Sequence, residues 1–70
     1  MNNEEQVEKL LNIMKSKGRG NVDRAWIQEV LGCSDDDLKE IQGALKNDSR
    51  IYFELLVGGD FIIDVDLENI

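Results

Sequence analysis

The sequence predicts an α+β domain in which three short helices pack on a C-terminal β-hairpin. Three observations carry that expectation. Apolar residues recur at helical spacing in three separate stretches before residue 48. After residue 50 the spacing switches to alternation, first Ile51, Phe53, Leu55 and Val57, then Phe61, Ile63, Val65 and Leu67. Gly58-Gly59 separates the two alternating runs, as a hairpin turn would. With 70 residues the chain forms one domain, 1–70, near the small end of what folds unaided. A hydrophobic content of 41% supplies a modest core and argues against disorder.

Taken in order, Val7, Leu10, Leu11 and Met14 lie at i, i+3, i+4 and i+7 and define the first amphipathic helix. Glu4 and Glu5 fall in its first turn and Lys15 and Lys17 in its last, matching the helix dipole, and Gly18 is the expected stop. A very short third strand is expected near 20–22. Asp23 then reads as an N-cap, with Val22 and Ile27 placed as a hydrophobic staple. Trp26, Ile27, Val30 and Leu31 give the second helix its buried stripe, with Trp26 a core anchor, and Gly32 ends it. Ser34 and Asp37 have capping-box spacing, although Asp is shorter than the usual Glu. Leu38, Ile41 and Leu45 carry the third helix to about Asn47. Gly43 inside it costs up to about 1 kcal/mol relative to Ala, so a close packing contact is expected there.

The hairpin admits two registers with opposite consequences. A two-residue Gly58-Gly59 loop would pair Val57 with Asp60 and mix carboxylates into the apolar face. A three-residue loop, Gly58-Gly59-Asp60, pairs Val57 with Phe61, Leu55 with Ile63 and Phe53 with Val65, keeping one face apolar. A one-residue slip exchanges the faces, so burial selects the second. The outer face then carries Tyr52, Glu54, Leu56, Ile62, Asp64 and Asp66, with Leu56 opposite Ile62 and Glu54 opposite Asp64. Such a face is either ordinary solvated acidic surface or a docking patch with an apolar centre and an acidic rim.

The net charge is −7, and its distribution is uneven. Residues 1–33 hold five acids and five bases, whereas residues 34–70 hold ten acids and three bases. The single cysteine, Cys33, excludes an internal disulfide, and the absence of histidine removes the usual zinc site and the commonest general base. Cys33 has no histidine to activate it, so it reads as a small hydrophobe; its place near a helix N-terminus leaves a lowered thiol pKa open. No phosphate-cradling glycine motif is present. Glu54, Asp64 and Asp66 along strands would encircle a cation poorly. No cofactor and no enzymatic activity are expected. No signal-peptide pattern, lipidation motif or membrane-length apolar run occurs, so the expected setting is soluble, reducing and cytoplasmic.

The element order is helix, short extended segment, helix, tight turn, helix, strand, loop, strand. In that order the helix at 22–31, the Gly32-Cys33-Ser34 turn, the Leu38/Ile41/Leu45 helix and the hairpin at 51–67 resemble the winged-helix domain, a helix-turn-helix variant. The resemblance spans about residues 4–67 and lies in pattern rather than in a diagnostic motif. It implies that the third helix is a recognition helix and the Gly58-Gly59-Asp60 loop a wing. In DNA-binding members that helix enters the major groove with its N-terminal part near base edges. Here that part is Ser34-Asp35-Asp36-Asp37, and three carboxylates oppose a polyanion. The wing carries no base. Acids at a helix N-terminus also serve the dipole, but that does not remove the repulsion. The DNA-binding alternative rests on Lys15, Lys17, Arg19 and Arg24, with Lys39, Gln42, Lys46 and Asn47 on the third helix, a small basic footprint.

The leading expectation is therefore a protein-binding or regulatory module. Tyr52, Leu56 and Ile62 would make apolar contact, while Glu54, Asp64 and Asp66 steer a partner with a basic surface. Asp35 to Asp37 would extend that surface. DNA binding as a transcriptional regulator is the first alternative. An acidic inhibitor that occludes a nucleic-acid-binding surface is the second. Homodimerisation through a strand edge or the Leu56/Ile62 patch stays open.

Overall fold

Each helix starts and stops at residues whose chemistry favours it, and the computed structural model, which describes residues 2–70, shows how. The elements are α1 (Asn3–Lys17), β1 (Asn21–Asp23), α2 (Arg24–Leu31), α3 (Asp35–Asn47), β2 (Ile51–Leu55) and β3 (Phe61–Val65). Short 3-10 turns occupy Val57–Gly59 and Leu67–Asn69. Asn2 caps α1 by accepting from the Glu4 and Glu5 N–H groups, and Gly18 ends it at φ 68°. Asp23 accepts from the Trp26 N–H at 2.9 Å, and Gly32 closes α2 at φ 63°. Ser34 Oγ accepts from the Asp37 N–H at 3.2 Å. Among the described residues no bond returns from the Asp37 carboxylate, so only half of the capping box forms, as its short side chain would have it.

The three strands form one antiparallel sheet in the order β1-β3-β2. The expected short strand is real, one residue later than 20–22. It pairs Asn21 with Asp64, Val22 with Ile63 and Asp23 with Ile62. Val65 N–H extends this ladder to the Gly20 carbonyl at 2.8 Å. The inward residues Val22, Ile51, Phe61, Ile63 and Val65 meet Val7, Leu10, Leu11 and Met14 of α1, Ile27 and Leu31 of α2, and Leu38, Ile41 and Leu45 of α3 in one core. Among the described residues no polar side chain is buried in it. Phe53 stacks on Phe61 with centroids 4.9 Å apart.

Four expectations need correction. The hairpin register differs: Leu55 pairs with Phe61, Phe53 with Ile63 and Ile51 with Val65. The loop is still three residues long but is Val57-Gly58-Gly59, closed by Leu56 N–H donating to the Asp60 carbonyl at 2.8 Å. The reason is conformational. A three-residue loop needs a left-handed residue at its end, and this placement gives that role to Gly59, with both Gly58 and Gly59 at φ 81°. The other placement would have given it to Asp60. The shift of two preserves the faces and also sets Glu54 against Ile62 rather than Asp64, removing a like-charge opposition. Second, Leu67 leaves the strand and half-buries itself in the following turn. Third, Trp26 is only half buried at the core's margin, with the Arg19 guanidinium 5.5 Å from its ring centroid. Fourth, Gly43 is exposed, and a side chain there would meet nothing within 4 Å, so it marks no close contact.

Candidate functional site

The outer face of the sheet is built by alternation. Residues 52 and 54 of β2, 62 and 64 of β3, and 21 and 23 of β1 turn away from the core, because their neighbours turn into it. This places two rows across the sheet. One runs Asn21, Asp64, Tyr52; the other runs Asp23, Ile62, Glu54. Directly opposed side chains in such rows lie about 4.5–5.5 Å apart at Cβ. Asn21 donates its Nδ2 hydrogen to Asp64 Oδ1 at 2.9 Å. Asp23 is committed to capping α2. Among the described residues, Glu54 and Asp64 have no basic side chain within ion-pair distance.

Four of the six residues expected on the docking patch, Tyr52, Glu54, Ile62 and Asp64, therefore share this face. Leu56 lies on the same side but beyond them, opposite Asp60 at the hairpin tip rather than opposite Ile62. Asp66 lies past the end of β3 and acts locally, accepting from the Glu68 N–H and the Asn69 amide.

The hairpin tip adds what the sequence reading missed. Val57 is 100% exposed, Leu55 58% and Leu56 41%, and Tyr52, nearer the start of β2 on the outer face, is 66% exposed. Leu55 belongs to the inward-pointing set yet stays largely exposed while its partner Phe61 is fully buried, and Val57 leaves the strand for the loop. Three consecutive exposed apolar residues at a loop are unusual on a surface that otherwise follows the polar-out rule. Their signal in the sequence was a β2 run longer than its partner could match once the loop glycines took positions 58 and 59. On the other flank a shallow cleft brings Trp26, Ile62, Val22 and Asp23 together with Arg19. The apolar surface therefore continues from the tip across Ile62 towards α2.

Of the residues of the nucleic-acid alternative, Lys15, Arg19 and Arg24 are engaged by intramolecular partners. Lys15 Nζ donates to the main-chain oxygen of Ile70 at 2.6 Å. Arg19 sits over Trp26. Arg24 lies 3.4 Å from Asp35, which also accepts from Gln28 Nε2 at 2.8 Å. Lys17 and Asn47 line a broad open depression along α1, whose carboxylates Glu8 and Asp48 both engage Arg50. Lys39 and Lys46 are exposed on α3, and Gln42 is partly buried there. At the start of the same helix, Asp35 and Asp36 are exposed and Asp37 is partly covered.

Cys33 is half buried. Burial pushes its thiol up, and the nearby Asp37 and Asp35 carboxylates add to the rise, against a backbone hydrogen bond that opposes it. This direction is opposite to the lowered thiol pKa that the helix N-terminus left open. Among the described residues no three His, Cys, Asp or Glu side chains come together to hold a metal ion. No helix among them is long and apolar enough to cross a membrane.

Compared with known proteins, the chain matches no family model, and no curated protein or solved structure matches it.

Proposed function

We propose that this chain is a non-enzymatic protein-binding module of winged-helix type, and that it binds through the outer hairpin face and its tip. The carrying observation is the exposure of Leu55, Leu56 and Val57 at the hairpin tip and of Tyr52 on the outer face, where Glu54 and Asp64 have no basic side chain within ion-pair distance among the described residues. Much of this apolar surface stays in water, where a monomeric surface gains nothing from it. The acidic rim selects a basic partner by steering and by excluding acidic ones. Duplex binding has less support. Its phosphate contacts would need Arg19 and Arg24 to leave Trp26 and Asp35, and would bring Asp35 and Asp36 towards the polyanion.

Parallel amide NMR titrations test the proposal, one with a lysine-rich apolar peptide and one with short duplex DNA at low salt. The expected result is peptide-induced shifts at Tyr52, Glu54, Leu56 and Ile62, lost in the Leu56→Asp variant, with no shifts from DNA. Salt-sensitive DNA shifts at Lys15, Lys17, Arg19, Arg24 and α3 would overturn it in favour of a DNA-binding regulator.

A further inference from the structure

The sheet has two edges, and they are not alike. On one side β1 is three residues long and runs directly into α2, which leaves little backbone to pair. On the other, β2 is five residues long and, among the described residues, has β3 as its only strand neighbour. Antiparallel hydrogen bonding alternates along a strand. Leu56 N–H points at β3, where it donates to Asp60. Glu54 and Tyr52, two and four residues back, therefore point at β3 as well. The N–H and C=O groups of Ile51, Phe53 and Leu55 point the other way. Ile51 N–H is satisfied by the Asp48 carbonyl at 3.1 Å. Those of Phe53 and Leu55 face the free edge.

Proteins usually blunt such an edge with proline, lysine, a bulge or a covering element. Between Ile51 and Leu55 there is no proline, lysine or bulge, and the pairing with β3 is regular throughout. The single charge on this stretch is Glu54. It disfavours an acidic strand and favours a basic one.

We infer that the β2 edge accepts an extended segment of a partner protein as a fourth strand, and that the segment alternates apolar and basic side chains; this rests on the protein-binding role proposed above. The two faces of the edge dictate the alternation. On the core side, an added strand meets Phe53, which is half buried, and Leu55, which is mostly exposed, so apolar side chains fit there. On the outer side it meets Tyr52 and Glu54, with Asp64 one strand further, so lysine or arginine fits there. Main-chain pairing at Phe53 and Leu55 supplies affinity, and the alternate side chains supply selectivity. A second copy of this chain is the poorer occupant, because it would bring one net charge of −7 against another.

The test is amide hydrogen exchange of the full chain, alone and with a ten-residue peptide of alternating lysine and valine. A basic peptide of equal charge arranged for a helix serves as the comparison. The expected result is that exchange at Phe53 and Leu55 slows by about tenfold or more with the alternating peptide, and much less with the helical one. Leu55→Pro removes one edge N–H where proline is tolerated and should abolish the protection at Phe53. Leu55→Lys places a like charge against the peptide at an exposed position and should weaken binding if the proline variant does not fold. Peptide binding that shifts Tyr52, Leu56 and Ile62 while Phe53 and Leu55 exchange unchanged would overturn strand addition and leave the binding role intact. Protection at Phe53 and Leu55 that rises with protein concentration alone would overturn it in favour of self-association. Absence of any peptide effect would overturn both readings.

Discussion

A methyl group at Gly43 would meet no atom within 4 Å, whereas one at Gly20 would lie 2.9 Å from the Val65 carbonyl oxygen. The two glycines are therefore expected to respond oppositely to the same substitution. Gly43 lies inside α3, on the side away from Leu38, Ile41 and Leu45, and its backbone dihedrals are ordinary for a helix. Gly43→Ala lowers the entropy lost on folding and should stabilise by about 0.5–1 kcal/mol. Gly20 also carries the carbonyl that accepts from Val65 N–H at 2.8 Å, so the clash cannot be relieved without stretching that bond. Gly20→Ala should destabilise by about 1–3 kcal/mol, the usual cost of forcing extra volume into a tight contact. Urea denaturation checks both, as a raised midpoint for the first and a lowered one for the second at unchanged m. The sequence held half of this. Gly43 stands two residues from both Ile41 and Leu45, which is nearly the opposite side of a helix, so its exposure was there to be read. The close approach at Gly20 depends on β3, more than forty residues away, and no local pattern announces it.

At the scale of elements, the turn between α3 and β2 shows how short-range polar chemistry sets a strand in place. Arg50 N–H and Nε donate to Asp48 Oδ1, Nη2 donates to Asp48 Oδ2 at 2.7 Å, and the same guanidinium reaches Glu8 of α1. One residue therefore ties the turn to the first helix, just before the core residue Ile51. The hydrogen bonds from Arg50 hold the Asp48 carboxyl below the usual carboxylate range, against the opposing effect of burial. The folded state thus binds that proton less readily than the unfolded chain, whose carboxyl titrates near about 3.9. The stabilisation is fully present above that pH and fades as pH falls through the lower folded value, so stability rises with pH across this window. Asp48→Asn should cost about 1 kcal/mol at neutral pH. The gap between variant and wild type in urea should narrow below about pH 4; a gap constant down to pH 2.5 would contradict the assignment. The hairpin beyond this turn marks where sequence reading stopped. Within the strands 51–55 and 61–65 alternation separated the two sides of the sheet, because side-chain direction is a property of alternate positions. It could not choose between registers two residues apart, since both bury the same set. That choice lay in backbone conformation at Gly58 and Gly59, where φ 81° at both positions fixes the loop.

For the molecule as a whole, the placement of apolar surface separates what folds the chain from what the chain presents. Phe61, Ile63, Leu10, Leu38 and Ile41 are almost fully buried in the core that the three helices make with the sheet. Leu55, Leu56 and Val57, at the hairpin tip, lie outside that core. The helical periodicities made the core legible, including Val7, Leu10, Leu11 and Met14, all of which are buried. The exposure of Leu55 and Val57 is not legible in the alternation, which assigns both to the core face. This geometry predicts two classes of substitution. Phe61→Ala should cost about 3–5 kcal/mol through lost burial and a cavity, which is a large share of the roughly 5–15 kcal/mol that stabilises a domain. Tyr52→Ala and Val57→Ser should change stability by no more than about 0.5 kcal/mol, because exposed side chains lose no burial when truncated. Thermal or urea melts of the three variants decide the matter. A large loss on Val57→Ser would mean that the tip is folded against something within the chain, and the surface would then be a structural feature. Near-neutral melts for both exposed sites, combined with weaker binding of a basic peptide, would locate the role of these side chains outside the fold, in the contact that the tip and the adjoining sheet face make with a partner.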